Sequence, residues 1–373
     1  MYQKKAIVTV INDLNTDMRV HKTCLCLKKA GFDVLLVGRQ QKASLTMENR
    51  PYSTHRMRLL FEKGPLFYAE YNIRLFFFLL GNKSKLYFSN DLDTLLPCYI
   101  HHKIRRIPLI FDSHEYFTGV PELEKRPFVR KIWKLIERSI VPHIRNFITI
   151  NDSMAGLFSG EYKREVKVVR NIPYKRDYLI SASREQLGLP PGVKIVILQG
   201  GGINVDRGAE EAVDAMQYID GAVLLIIGGG DVIEQLKVRA QKPEVSSKVI
   251  FVPRLPYEKL YAYTVHADVG LSLDKDNSIN YHYSLPNKLF DYIMARVPVL
   301  ASPLPEVEKI VRGYDIGEII ESHDPEHIAL KISQMISDDN KTKGYKANLV
   351  KAAAELCWEN EEHRLSEIIA KYV

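Results

Sequence analysis

Two doubly wound parallel-sheet α/β domains are what this 373-residue sequence predicts. Three observations carry that reading. Short, continuous β-branched runs alternate with helical stretches through both halves, the pattern of strands buried on both faces. The series breaks once, over residues 171–192 (NIPYKRDYLISASREQLGLPPG), and then restarts. The length is that of about two domains.

Taken in order, AIVTVI (6–11) reads as a buried strand and Asn12 to Asp17 as the polar loop at its end. Met18 to Ala30 is an amphipathic helix with Gly31 as its C-cap. FDVLLV (32–37) closes a right-handed βαβ opening. No G-x-G-x-x-G follows the first strand, which argues against a simple dehydrogenase. Residues 38–65 lack clear periodicity. Leu66 to Leu80 is an apolar, aromatic helix flanked by Arg56, Arg58, Lys63, Arg74, Lys83 and Lys85. That fits either an interfacial membrane helix or a core helix with charged ends. Further strands are expected at 86–89, 108–111 (PLIF), 146–150 (NFITI) and 167–170, with helices ahead of His101, over Trp133 to Ile140 and after Asn151. After the break, strands are expected at KIVILQ (194–199), AVLLII (222–227), 249–252, 269–273 and 299–301. Leu289 to Ala295 is a short helix behind Pro286, and Trp358 to Val373 is the last helix.

Bulk properties narrow the class. The longest apolar run, Leu75 to Leu80, is far shorter than a bilayer span. No signal-peptide pattern opens the chain, and a cytoplasmic location is expected. Cys24, Cys26, Cys98 and Cys357 show no CxxC spacing, so neither a zinc site nor a disulfide framework is expected. Residues 1–172 carry 29 Lys+Arg against 16 Asp+Glu; the rest carries 23 against 29, giving +13 and −6. A basic half suits an anionic surface or substrate. No nucleic-acid-binding module is recognisable.

In open α/β sheets, ligands sit at the C-terminal ends of strands. The first half places Asn12, Asp13, Asp17, Arg19, Asn90, Asp91, Asp93, His114, Glu115, Asn151 and Ser153 there. The second half places the loop Gly200–Gly208 with Arg207, Gly228–Gly230, Arg254, Asp274 and Ser284 to Asp291. Gly200-Gly201-Gly202 after a strand, with Arg207 at a helix head, forms an anion nest plus a fixed cation, suited to a nucleotide diphosphate. The alternative is a glycine turn with a surface arginine. Ser284-Leu285-Pro286-Asn287-Lys288 leads into a helix whose N-terminus favours phosphate. Asp291 suits ribose hydroxyls or simply offsets the helix dipole. Lys288 is a second phosphate cation or a solvent-facing lysine. His114, between Asp112 and Glu115, can orient a sugar hydroxyl, act as a general base, or be structural.

Six segments in order resemble the retaining, GT-B-fold glycosyltransferases of family 4 (group 1 glycosyltransferases). They are NDLNTDMRVHKTCLCLKKAGFDVLLVGR (12–39), SNDLDTLLP (89–97), FDSHEYFTGVPEL (111–123), QGGGINVDRG (199–208), LLIIGGG (224–230) and SLPNKLFDYIMARVPVLAS (284–302). The resemblance implies two Rossmann-like domains facing across a cleft. Residues 1–172 would form an acceptor-binding domain, 173–192 a linker and 193–357 a nucleotide-sugar domain. Residues 358–373 would be a helix crossing back to the first. It implies a UDP-, GDP- or ADP-sugar donor, held by Gly201, Gly202, Asn204, Arg207, Gly229, Arg254, Ser284, Leu285, Pro286, Asn287, Lys288 and Asp291. It implies a saccharide or lipid-phosphate-linked acceptor, met by Asn12, Asp13, Asp17, Arg19, Asn90, Asp91, His114 and Glu115. His114, Arg207 and Asp291 are the expected catalytic residues. No cofactor and no obligatory metal are expected.

Two positions depart from the family pattern. The first acid of its E-x7-E pair is Tyr283 here, and the Arg of its Gly-Arg pair aligns with Gly202. Backbone N–H groups of Ser284 to Asn287, with Lys288, are expected to take over part of the lost donor contact. A UDP-sugar 2-epimerase and a non-catalytic sugar-nucleotide-binding relative share the architecture.

Overall fold

A computed structural model describes residues 4–15, 17–42, 44, 46–47, 49–120, 123 and 126–373. Thr16 of the first loop, and Pro121 and Glu122 of the third resembling segment, lie outside the described residues. The chain forms two units, Met1–Asn171 with Asn360–Val373, and Ile172–Glu359.

Unit 1 holds a seven-stranded sheet in the order β3-β2-β1-β4-β5-β6-β7. Its strands are β1 (Lys5–Asp13), β2 (Asp33–Gln40), β3 (Ser53–Arg58), β4 (Leu86–Asn90), β5 (Leu109–Ser113), β6 (Asn146–Thr149) and β7 (Lys167–Val168). Every pairing is parallel. Helices α1 (Met18–Lys29), α2 (Gly64–Gly81), α3 (Leu92–Arg105), α4 (Pro127–Ile140) and α5 (Asp152–Tyr162) connect them. Strand order reverses between β1 and β4, so the loops after these two strands open a crevice at the switch point.

β3 falls within residues 38–65, the stretch that lacks clear periodicity. It is an edge strand reading STHRMR, with half of its residues exposed. It buries one large apolar side chain, Met57, so no apolar period marks it. Its cations are the kind that keep a sheet edge from pairing with another chain.

Unit 2 holds six parallel strands in the order β10-β9-β8-β11-β12-β13. They are β8 (Lys194–Gly200), β9 (Ala222–Gly228), β10 (Val249–Val252), β11 (Val269–Ser272), β12 (Val299–Ala301) and β13 (Gly317–Ile319). Ile195 and Ile197 face one apolar core while Val196 and Leu198 face the other. Apolar side chains on both faces make the strand a continuous hydrophobic run. The helices are α6 (Ala209–Ala215), α7 (Ile233–Arg239), α8 (Tyr257–Thr264), α9 (Ile279–His282), α10 (Asn287–Met294), α11 (Pro305–Tyr314), α12 (Pro325–Ser337) and α13 (Asp339–Glu355); the last helix, α14 (Trp358–Ala370), falls almost wholly in unit 1. The switch point lies between β8 and β11.

Residues 173–192 pack onto unit 2 and are not a free tether. Leu189 joins its core. Arg184 donates to the carbonyls of Val193 (2.8 Å) and His266 (3.0 Å). The end of the chain belongs to unit 1, where Glu362 pairs with Lys29 at 2.6 Å and Glu361 accepts from the Arg170 N–H at 2.9 Å.

Candidate functional site

In unit 2 the loops after β8 and β9 are pressed together. Gly228 has φ +143°, and a Cβ there would lie 1.8 Å from Gly200 O. Only glycine permits that approach. The Ile203 N–H donates to Gly229 O at 2.8 Å, and the Asp231 N–H to Asn204 Oδ1 at 3.1 Å. Asn204 thus fastens one glycine loop to the other. Gly208 (φ +71°) caps α6 so tightly against β11 that a Cβ would meet Leu273 O at 2.4 Å. That contact sets Arg207 beside the end of β11.

Arg207 Nη1 donates to Asp274 Oδ1 at 2.8 Å, and its guanidinium lies 4.4 Å from the centre of the Tyr281 ring. Lys288 Nζ is 3.2 Å from the other oxygen of Asp274. Burial opposes the charge on Asp274, but Lys288 and then Arg207 outweigh it and hold the carboxyl below its usual range. Asp274, fully buried, therefore anchors both cations. Arg207 Nε remains buried with no hydrogen-bond partner among the described residues, and so does Ser284 Oγ. Such groups are costly unless something fills them. Arg254 approaches the same loop; a Cβ on Gly201 would lie 3.8 Å from its Nη2.

The Ser284 N–H donates to Tyr281 O at 3.0 Å, and Pro286 has no N–H. Two of the four residues Ser284 to Asn287 therefore offer no backbone donor to a phosphate, whereas Lys288, on α10, carries a charge. Asp291, one turn on, accepts from Tyr257 Oη at 2.7 Å and Gln199 Nε2 at 3.2 Å. Gln199 Oε1 in turn accepts from Thr264 Oγ1 at 2.7 Å. The carboxylate is held by partners that sequence reading missed; only Gln199, next to the glycine loop, carried a positional hint.

In unit 1 the ends of β1, β4 and β5 bring a polar cluster together. Asn90 Nδ2 donates to Thr9 O at 2.9 Å and ties β4 to β1. Asp91, ahead of α3, has φ 59° and ψ 164°, a region almost reserved for glycine. Strain of about 1–3 kcal/mol is concentrated at functional sites. Its Oδ1 accepts from the His114 N–H at 2.8 Å, and Oδ2 lies 3.2 Å from His114 Nδ1. His114 Nε2 lies 3.4 Å from Asp112 Oδ2 but makes no hydrogen bond among the described residues. Burial works against a charged imidazole, but Asp91 and Asp112 overcome it and raise the His114 pKa well above the ordinary value. Two carboxylates around the ring favour the imidazolium, a hydrogen-bond donor, at His114. Neighbouring Asp93 is displaced upward by burial, then by Asp91 and Glu115.

Arg19 is also corrected. It is buried, donating to Asp112 Oδ2 at 2.9 Å, Asp112 Oδ1 at 2.7 Å and Val169 O at 2.7 Å. Its fork is occupied inside the protein and does not face an acceptor. Burial would raise the Asp112 pKa, but Arg19 and His114 hold it at about 2. Asp17 caps α1 by accepting from the Val20 N–H at 3.0 Å, and Asn12 Nδ2 donates to it at 3.2 Å. Asp13 accepts from the Asn15 N–H at 3.3 Å and lies 3.8 Å from Arg56. Glu115 is exposed.

The His114 charge ties stability to pH. Its folded pKa is raised, so its stabilisation is complete below about pH 6.5 and is lost as pH climbs through the raised value. Urea-unfolding midpoints followed upward from about pH 6 should fall more steeply for the wild type than for His114→Gln. Equal slopes would refute the charged imidazole.

Residues 180–355 match the family model described as glycosyl transferases group 1. No curated protein matches by sequence. The whole chain superposes on sucrose-phosphate synthase from Thermosynechococcus elongatus with a TM-score of 0.77 at 16% identity, covering 99% of each chain. It superposes on Anabaena HepE in complex with UDP and glucose with a TM-score of 0.75 at 14% identity, covering 99% of this chain and 100% of that one. A glycosyltransferase from Rickettsia africae gives 0.74 at 13%, covering 100% and 99%. These likenesses carry the fold, two Rossmann-like domains of the GT-B class.

Proposed function

We propose that this chain is a retaining glycosyltransferase of group 1 that moves a sugar from a nucleotide-diphosphate sugar to a saccharide or lipid-phosphate-linked saccharide. The observation that carries this reading is Arg207, held by buried Asp274 and stacked on Tyr281 with a buried Nε unfilled. The matched family model lies over the same unit, and Anabaena HepE, similar in fold, was crystallised with UDP-glucose.

In this reading the sugar C1–O bond to the diphosphate breaks and the acceptor oxygen bonds C1 on the same face. The acceptor proton passes to the leaving phosphate oxygen. Arg207, Lys288 and Arg254 neutralise the leaving diphosphate, and Asp291 accepts from ribose hydroxyls. Asn12, Asp13, Asn90, Asp91, Glu115 and charged His114 belong to the acceptor side, where His114 donates to a hydroxyl and positions it. Side-chain cations meet the diphosphate charge, so no metal is required. Activity should persist undiminished in excess chelator, and its complete loss would refute that point. The basic unit 1 fits an acceptor presented at the cytoplasmic face of a membrane during polysaccharide or glycolipid assembly. No helix among the described residues is long and apolar enough to cross one.

The test is a thermal-shift screen with UDP, GDP, ADP and their sugars, then product analysis with a lipid-phosphate sugar acceptor. A nucleotide at 100 times its Kd should stabilise the protein by about 2.7 kcal/mol. No shift with any nucleotide would overturn the reading. Epimerised or hydrolysed sugar without acceptor would assign the epimerase alternative.

A further inference from the structure

Helix α2 is apolar on two opposite faces. Phe67, Tyr71, Leu75 and Leu79 point into unit 1 and are buried. Leu66, Ile73, Phe77 and Leu80 point outward and are 41–64% exposed. At the helical period these four fall within an arc of about 60°, opposite the buried four. Folding alone gives no reason for the second stripe. Helix α4 repeats the arrangement: Trp133, Glu137 and Ile140 face inward, while Phe128, Ile132 and Leu135 face outward, 45–74% exposed. The two helices touch, with the Tyr68 and Trp133 rings 5.3 Å apart. Seven large exposed apolar side chains on neighbouring helices exceed what scattered surface residues account for.

The stripes lie among cations. Residues 56–85 and 126–138 contain eleven Lys+Arg and three Asp+Glu. Of the three acids, Glu70 is tied to Arg74 at 2.8 Å and Glu137 is buried against Lys134 at 2.9 Å. Between β3 and α2 lies a cavity of about 430 Å³ lined by Arg56, Arg58, Arg74, Phe77 and Phe78 among others. Phe77 belongs to both the cavity wall and the outward stripe. Arg74 is tied to Glu70 and Arg56 lies 3.8 Å from Asp13. Arg58, in contrast, is exposed and donates to the neutral Gln40, so an anionic group is favoured at Arg58 with apolar surface immediately beside it. A second copy of the chain would set cations against cations.

We propose that unit 1 docks on an anionic phospholipid surface through the outward stripes of α2 and α4, with a headgroup phosphate in the arginine-lined cavity. This rests on the membrane-presented acceptor of the proposed function and supplies the surface for it. Amphipathic helices with apolar faces and basic flanks bind membranes in this way.

Vesicle sedimentation of the whole chain tests it, with phosphatidylcholine alone and with added phosphatidylglycerol. Binding to the anionic vesicles should be at least about tenfold tighter and weaken with salt. Phe77→Ser/Phe128→Ser should reduce it about tenfold, and Arg58→Glu/Lys131→Glu should abolish the preference for phosphatidylglycerol. All four positions are exposed, so the thermal midpoint and the shift caused by nucleotide should match the wild type. That nucleotide readout fails or succeeds independently of vesicle binding. Absent binding, equal binding to both vesicles, or unchanged binding in the phenylalanine variant would overturn the proposal. So would a wild-type dimer in size-exclusion chromatography that this variant dissociates, or binding only to acidic protein.

Discussion

Arg207→Ala should lower kcat/KM by about 30- to 1,000-fold, a loss of about 2–4 kcal/mol of transition-state stabilisation. The guanidinium is already oriented before substrate arrives, by Asp274 on one edge and Tyr281 against its face. A preset cation pays no reorganisation when the leaving diphosphate gains charge. Arg207→Lys keeps the charge but loses the fork and the stacked plane, so it should recover only part of the rate. Lys288→Ala should act mainly on donor affinity; unchanged affinity would sink its assignment. The experiment needs one control. Removing Arg207 leaves buried Asp274 with Lys288 as its remaining cation, so some loss is a stability effect. Arg207→Ala/Asp274→Asn removes that buried charge. Its thermal midpoint should recover while its activity does not. A kcat/KM within threefold of the wild type would end the diphosphate-clamp assignment.

The largest stability effect is expected at Arg19. Arg19→Met should destabilise the protein by about 3–5 kcal/mol, because it strands the Asp112 charge inside unit 1. For a unit of this size that is a fall in thermal midpoint of roughly 6–20 °C. His114 would remain as a partner of Asp112, but at 3.4 Å and without the paired geometry of Arg19. Replacing both members, as Arg19→Met/Asp112→Leu, should cost less than the single change, since no unpaired charge remains. The outcome separates two roles for this residue. An acceptor contact would leave the midpoint in place and raise the acceptor KM. A buried brace would move the midpoint first. A loss under about 1 kcal/mol would refute the brace.

Sequence by itself determined the class of both units. Strands such as AIVTVI and KIVILQ are covered on both faces, and that condition writes itself as an unbroken apolar run. The glycine loops were legible too, because backbones that approach as Gly200 and Gly228 do exclude any Cβ. Arg207, Lys288, Asp291 and His114 stood out because they follow strand ends or open helices, where an α/β sheet exposes its ligands.

Only the tertiary structure decided which partners those residues meet. β3 was hidden because an edge strand needs no apolar period. Arg19 and Asp112 lie 93 residues apart. Their pairing depends on how α1 meets β5, which no local pattern records. The same holds for Asp274 between Arg207 and Lys288, and for Asp91 and Asp112 on either side of His114. Residue type and spacing report which apolar runs are buried, and not that a polar side chain such as Arg19 is buried with them. Which charge it meets there, and hence whether it binds, braces or stays protonated, depends on the register between elements distant in the chain.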